Sequence, residues 1–242
     1  FVYVGTNLGS YSPITQLIAP TKLQVAVLNS SYNPGEKTSI STEVAFSNSD
    51  QNLFSTLDNN QNKGIATKLA WQQVLLDKKW KLLSDLNYLF IHKNFNTIQR
   101  IQSVEFNRDW NLNNPTGNQQ QVGMDLSLKK SDDNFLTYSF QQLQFSNNFK
   151  GNKHVVASII NFGNTLFYNN SSYLVNNSDL KENTFLRIKS GVEQHFKKFW
   201  FGGFFNLESN DGVAIPSREA ILTNHQFKEY EGYIGIGDTT NV

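Results

Sequence analysis

Lys22–Asn48, KLQVAVLNSSYNPGEKTSISTEVAFSN, decides the fold class of this chain. In its second half Ile40, Thr42, Val44 and Phe46 share one side of an extended backbone, and Ser41, Glu43, Ala45 and Ser47 share the other. Alternation with a period of two is the pattern of a half-buried strand, because successive Cβ atoms point to opposite faces. Pro34-Gly35-Glu36-Lys37 separates the two halves, and Pro-Gly is a strong turn signal. The segment therefore reads as a hairpin of two strands, each longer than the roughly 5–6 residues usual in soluble sheets. Strands that cross an outer membrane need about 9–11 residues at a tilt.

The same grammar recurs along the chain. Gly64–Leu76 and Trp80–Phe95 form a second hairpin across Asp77-Lys78-Lys79, after a polar loop at Ser47–Lys63. Thr184–Phe196 and Phe199–Ser209 form a third across Lys197-Lys198. Between them the pattern predicts strands at Ile101–Leu112, Gln119–Leu128, Phe135–Phe149 and His154–Tyr168, then a polar loop at Asn169–Asn183. Val2–Tyr11 and Phe227–Gly237 read as strands near the two ends. We expect 11–13 strands, no amphipathic helix and one domain over residues 1–242, truncated at both ends from a longer polypeptide.

Composition narrows the environment. Charged residues are 17% of the 242 against about 25% ordinarily, while Asn alone accounts for 31. Low charge with abundant neutral polar groups suits a sheet that meets lipid on one face and a wet lumen on the other. It equally suits an Asn-rich extracellular sandwich. The net charge of +1 predicts no nucleic-acid partner, since such binding needs a clustered basic surface. With no cysteine, disulfides, thiolate metal sites and thiol catalysis are excluded. No apolar run reaches the 18 or so residues of a membrane helix.

No motif carries catalytic chemistry. His92, His154, His195 and His225 lie in separate segments without metal-ligand spacing, and no serine sits in a nucleophile elbow. Asp58–Gly64 has oxygen-bearing residues at 58, 60 and 62, but its glycine is one place late and no closing Glu follows, so a flexible outer loop is the better account. The most distinctive cluster is Glu105, Arg108, Asp109 and Trp110. Extended, it would put Glu105, Asn107 and Asp109 on one side and Phe106, Arg108 and Trp110 on the other, with Arg108 free to bridge a carboxylate and stack on Trp110. Two carboxylates four residues apart on a strand are about 13 Å apart, too far for a retaining glycosidase pair. A structural ion-pair and aromatic cluster is expected, with no enzyme and no cofactor.

Aromatics gather near predicted strand ends: Trp71, Trp80, Phe95, Phe106, Trp110, Phe149, Tyr168, Phe196, Phe199, Trp200 and Tyr230. On a membrane barrel they would form the interfacial belts. YVGTNLGSYSPI with LIAP, the loop NLFSTLDNNQNKGIA and VEFNRDWNL together resemble large outer-membrane β-barrel proteins of Bacteroidota, particularly of flavobacteria. The resemblance implies an outer-membrane location and a role beside barrel-assembly, SusC/SusD-type uptake or type IX secretion machinery.

The expected fold is therefore all-β, an antiparallel outer-membrane β-barrel fragment. Its expected partners are outer-membrane lipids and other outer-membrane or lipoprotein subunits, docked on Ser47–Lys63, Phe95–Ile101 and Asn169–Asn183. Lys68, Asp85, Glu105 and Lys189 are expected to line the lumen. The alternative is a soluble or cell-surface β-sandwich adhesin or carbohydrate-binding module, with exposed aromatics as sugar platforms.

Overall fold

A computed structural model describes residues 2, 5, 18–57 and 59–237. The chain is all-β, and these residues form one antiparallel sheet of eleven strands in sequence order. They are β1 (Lys22–Gly35), β2 (Thr38–Asp50), β3 (Lys63–Asp77), β4 (Lys81–Ile91), β5 (Gln119–Ser131), β6 (Asn134–Phe145), β7 (Phe149–Phe162), β8 (Thr165–Ser178), β9 (Lys181–His195), β10 (Phe199–Ala214) and β11 (His225–Ile236). One helical turn, α1 (Phe106–Asp109), interrupts the β4–β5 connection. Among the described residues each strand pairs only with its sequence neighbours, which leaves β1 and β11 as the edges of the described sheet.

The two ends of the sheet differ. At one end every connection is short: 36–37, 78–80, 132–133, 163–164 and 196–198. At the other, 51–62, 92–118 and 215–224 are long, while 146–148 and 179–180 are short. At the short-turn end Lys129 and Asp132 form an exposed hydrogen-bonded ion pair at 2.6 Å, which holds the Asp132 carboxyl below its usual range.

Three expectations in the middle of the chain are corrected. Asn169–Asn183 is no loop: it is most of β8, the start of β9 and the tight turn at 179–180 between them. Some of its polar side chains bond within the strand and to the loop: Ser171 Oγ donates to Asn169 Oδ1 (2.7 Å) and Asn176 Nδ2 to Trp110 O (2.9 Å). His154–Tyr168 is two strands split at Gly163-Asn164, where Gly163 takes φ +67°, a conformation that L side chains rarely adopt. Phe135–Phe149 likewise breaks at 146–148, so Phe149 opens β7. Apart from Val2 and Gly5, the expected strand at Val2–Tyr11 lies outside the described residues, as does Asp58 of the calcium-like segment. Asn59–Gln61 beside it is a short 3-10 turn.

Cross-strand register assigns every side chain to one of two faces. One face carries Glu43, Lys68, Asp85, Asp125, Lys153, Arg187, Lys189, Glu208 and Glu229. It also carries the β4–β5 loop, so we call it the loop-bearing face. The other, open face presents Ile40, Val44, Phe46, Leu69, Trp71, Leu86, Tyr88, Val122, Met124, Tyr138, Val156, Phe167, Val192, Phe201, Tyr230 and Ile234. Phe46 is 54% exposed there, Tyr230 75% and Ile234 74%. The total surface of 16803 Å² compares with roughly 11,000 Å² for a compact monomer of this mass.

The apolar band on the open face does not follow the register. One row runs Ile40, Trp71, Leu86, Met124, Phe140, His154, Tyr173, Leu186, Ser209, Gln226. On β2 the band spans Ile40 to Phe46, so Ile40 is its limit toward the short turns. On β11 it spans Tyr230 to Ile236, and Gln226 lies four residues past its limit toward the loops. The band covers seven residues, six steps of rise, on both strands, so it slides by about ten residues over nine strand steps.

Candidate functional site

The site is built where the 92–118 loop settles on the loop-bearing face. The loop starts beside the early strands: His92 N donates to Ile65 O (2.9 Å) and Asn96 N to Ser47 Oγ (3.0 Å). A Cβ at Gly64 would collide with the Phe95 backbone, so this glycine lets the loop cross β3. Lys93 N and Asn118 Oδ1 (2.9 Å) tie the two ends of the loop together. By residues 108–111 the loop has reached β10. From β2 to β10 is eight strand spacings, about 38 Å on a flat sheet. Residues 96–108, with bends and a helical turn, are too compact for that span, so the sheet curls around the loop.

Residues 101–112 do not form the expected strand. Phe106 and Trp110, four apart, both point into the sheet from one side of the α1 turn, and a helix buries them together where a strand would also pair them but expose Asp109. Glu105 and Arg108 pair across the turn at 3.4 Å. The turn stops at Asn111, with φ +51°. Asn111 N donates to Arg108 O (3.1 Å) and Leu112 N to Asn107 O (2.8 Å), the two bonds of a Schellman C-cap, and Leu112 packs against the same core. One helix signal was therefore present in the sequence, an Asn at the cap followed by an apolar residue, since the Phe106/Trp110 spacing fits a strand equally.

Trp110 is the anchor. It is 3% exposed and clusters with Phe106, Leu143, Phe149, Leu174 and Phe185. A Cβ added to Gly151 would stand 3.2 Å from Trp110 Cε3, so the indole lies directly on bare backbone of β7. Asn176, buried on β8, donates from Nδ2 to Trp110 O (2.9 Å). The cation over the indole is Lys153, 5.7 Å from the ring centroid. Arg108, expected to stack there, instead faces Glu105 and Glu208.

A charged chain surrounds this anchor. Arg187 Nη1 meets Asp109 Oδ1 at 2.9 Å, and its Nε faces Glu208 Oε2 at 3.4 Å. Arg187 also lies over the Phe185 ring at 4.0 Å. Arg108 reaches Glu208 at 4.0 Å, and His225 Nε2 lies 3.1 Å from Glu208 Oε1. Asn111 links Lys181 (3.2 Å) and Asn210 (3.3 Å). Asp109, Arg108 and Trp110 thus share one site, and Arg187, Glu208, Lys153 and Asn176 are members that sequence reading missed. Their strand positions carry no local sign that a loop tens of residues away will dock on them.

The remaining expected positions divide. Lys68, Asp85 and Lys189 occupy the loop-bearing face, while Glu105 sits on the loop itself. Of the aromatics, Trp71 and Tyr230 lie on the open face, and Phe196 stacks on Phe199 and Phe201 at the short-turn end. Phe106, Trp110 and Phe149 are instead buried under the loop. Tyr168 and Trp200 lie on the loop-bearing face, where their rings cover Gly191 and Gly235.

A cavity of about 280 Å³ opens beside the loop, lined by Asn111, Asn113, Pro115, Asn148, Phe149 and Lys181 among others. Among the described residues no three His, Asp or Glu side chains group as metal ligands. The ion pairs and the buried indole together hold the loop against the sheet. Searches against protein-family models, curated proteins and solved structures returned no match to this chain.

Proposed function

We propose that the chain forms wall of an outer-membrane β-barrel, with the open face against lipid and the 92–118 loop folded into the lumen as a constriction. The barrel serves as a non-enzymatic component of an assembly, secretion or transport complex, and its long loops at 51–62 and 215–224 are the surfaces for partner subunits.

The observation that carries this reading is the sliding apolar band. Ten residues of slide are about 34 Å along the strands, and nine steps are about 43 Å across them. A level belt would then cut strands tilted by about 40°, within the 35–45° typical of transmembrane barrels. Five short turns at one end, against three long loops and two short turns at the other, fit the short-turn and long-loop layout of such barrels. An apolar face this wide is not left to water. The polar and charged opposite face fits a wet lumen narrowed by the docked loop.

Fractionation of native cells tests the proposal. The protein is expected in the outer membrane, resistant to carbonate extraction, with faster gel migration before boiling than after. Recovery in the soluble fraction without detergent would instead favour a sandwich whose second sheet covers the open face.

A further inference from the structure

We infer that one further strand of the same polypeptide, from outside residues 18–237, runs from the short-turn end to the loop end and seats between β1 and β11, closing a barrel of twelve strands. The inference rests on the barrel reading above.

Its first ground is direction. In an up-and-down sheet with an odd number of strands the two edge strands run the same way. Both β1 and β11 start at the loop end and finish at the short-turn end. They cannot pair antiparallel with each other, so antiparallel closure requires an odd number of further strands, those beside β1 and β11 running the other way. One such strand makes an even total, as in bacterial single-chain barrels.

The second ground is continuity. The open-face band reaches both edges, through Leu28 and Tyr32 on β1 and Tyr230, Ile234 and Ile236 on β11. A belt that ended at these edges would leave two rows of unpaired N–H and C=O groups in hydrocarbon, each costing several kcal/mol by the usual scale. β11 carries neither a proline nor a bulge, and on β1 Pro34 and the bulge between Tyr32 and Gly35 fall at the short-turn limit of the band, leaving residues 26–32 in regular pairing.

Direction also excludes a second copy as the occupant. Copies inserted into one membrane share an orientation, so β1 of one and β11 of another would still run parallel. Connectivity favours the same polypeptide. All ten pairings join sequence neighbours, and a meander continues with the segment next in the chain.

Residues 1–242 hold no cysteine, so a cysteine introduced among them is the single thiol of this stretch. Ser30→Cys on β1 and Tyr230→Cys on β11, each in the full polypeptide in native membranes, are labelled with benzophenone maleimide and irradiated. Peptide mapping should find one and the same peptide, from outside residues 18–237, captured intramolecularly from both positions. Four outcomes would overturn the inference: capture of another polypeptide, a dimer, a β1–β11 cross-link, or different peptides or none at the two positions. Carbonate extraction of the same samples separates the two ideas. An integral protein without the shared cross-link loses only the closing strand, whereas an extractable protein loses the barrel.

Discussion

Trp110→Ala should release the 92–118 loop while leaving the sheet intact. The indole is 3% exposed, lies on bare Gly151 backbone, and sits in a cluster fed by β6, β7, β8 and β9. Truncating a buried Trp costs about 3–5 kcal/mol, the lost transfer energy plus the void left behind. The ladder hydrogen bonds of the strands do not involve this side chain, so the loss falls on loop docking rather than on strand pairing. At about 1.4 kcal/mol per tenfold, the undocked population rises by roughly a hundredfold to a few thousandfold. Trypsin cleavage after Arg108 reads that population, because the flanking Phe106 and Trp110 must leave the sheet before the segment fits a protease. The turn sites Lys78, Lys79, Lys197 and Lys198 serve as internal controls. A rise of less than about threefold at Arg108 would refute the reasoning. So would an equal rise at the control sites, since Trp110 would then be holding the whole sheet.

Other expectations follow from the same geometry. Met124 and Ser209 share one register row, yet only Met124 lies mid-band. Met124→Arg should cost about 2–4 kcal/mol in detergent or lipid refolding and Ser209→Arg about 0–1, whereas equal costs would dispose of the tilted belt. Gly191→Ala places a methyl into the Tyr168 ring and should lower stability by about 1–3 kcal/mol. In a Tyr168→Ala background the same change should be nearly neutral in thermal melts, and persistence of the full cost would show that the ring is not its source. A cycle of Asp109→Asn and Arg187→Gln, read by the Arg108 cleavage assay, should give a coupling of about 0.5–1.5 kcal/mol, modest because both groups are partly exposed. Additive single effects would mean that the 2.9 Å pair does not hold the loop.

Alternation in Thr38–Asn48 and the Pro-Gly turn before it were enough to identify β1 and β2, because strand formation and hairpin pairing are local. The β3–β4 and β9–β10 hairpins were legible for the same reason. Reading failed at Asn169–Asn183, where Asn and Ser signal a turn in any local window. Asn176 and Asn183 are buried in strands there because the loop and neighbouring strands supply their partners. It failed again at Ile101–Leu112, where alternation is compatible with a strand until Gly151 offers Trp110 a place to lie.

By itself, then, the sequence determined the all-β class, most strands and the two-faced chemistry, all set by neighbours a few residues apart. The tertiary structure alone decided the sheet order and register, the slide of the apolar band, and the meeting of Asp109 and Trp110 with Arg187, Lys153 and Asn176. These depend on contacts between residues tens of positions apart, and their partners leave no mark in one another's local sequence.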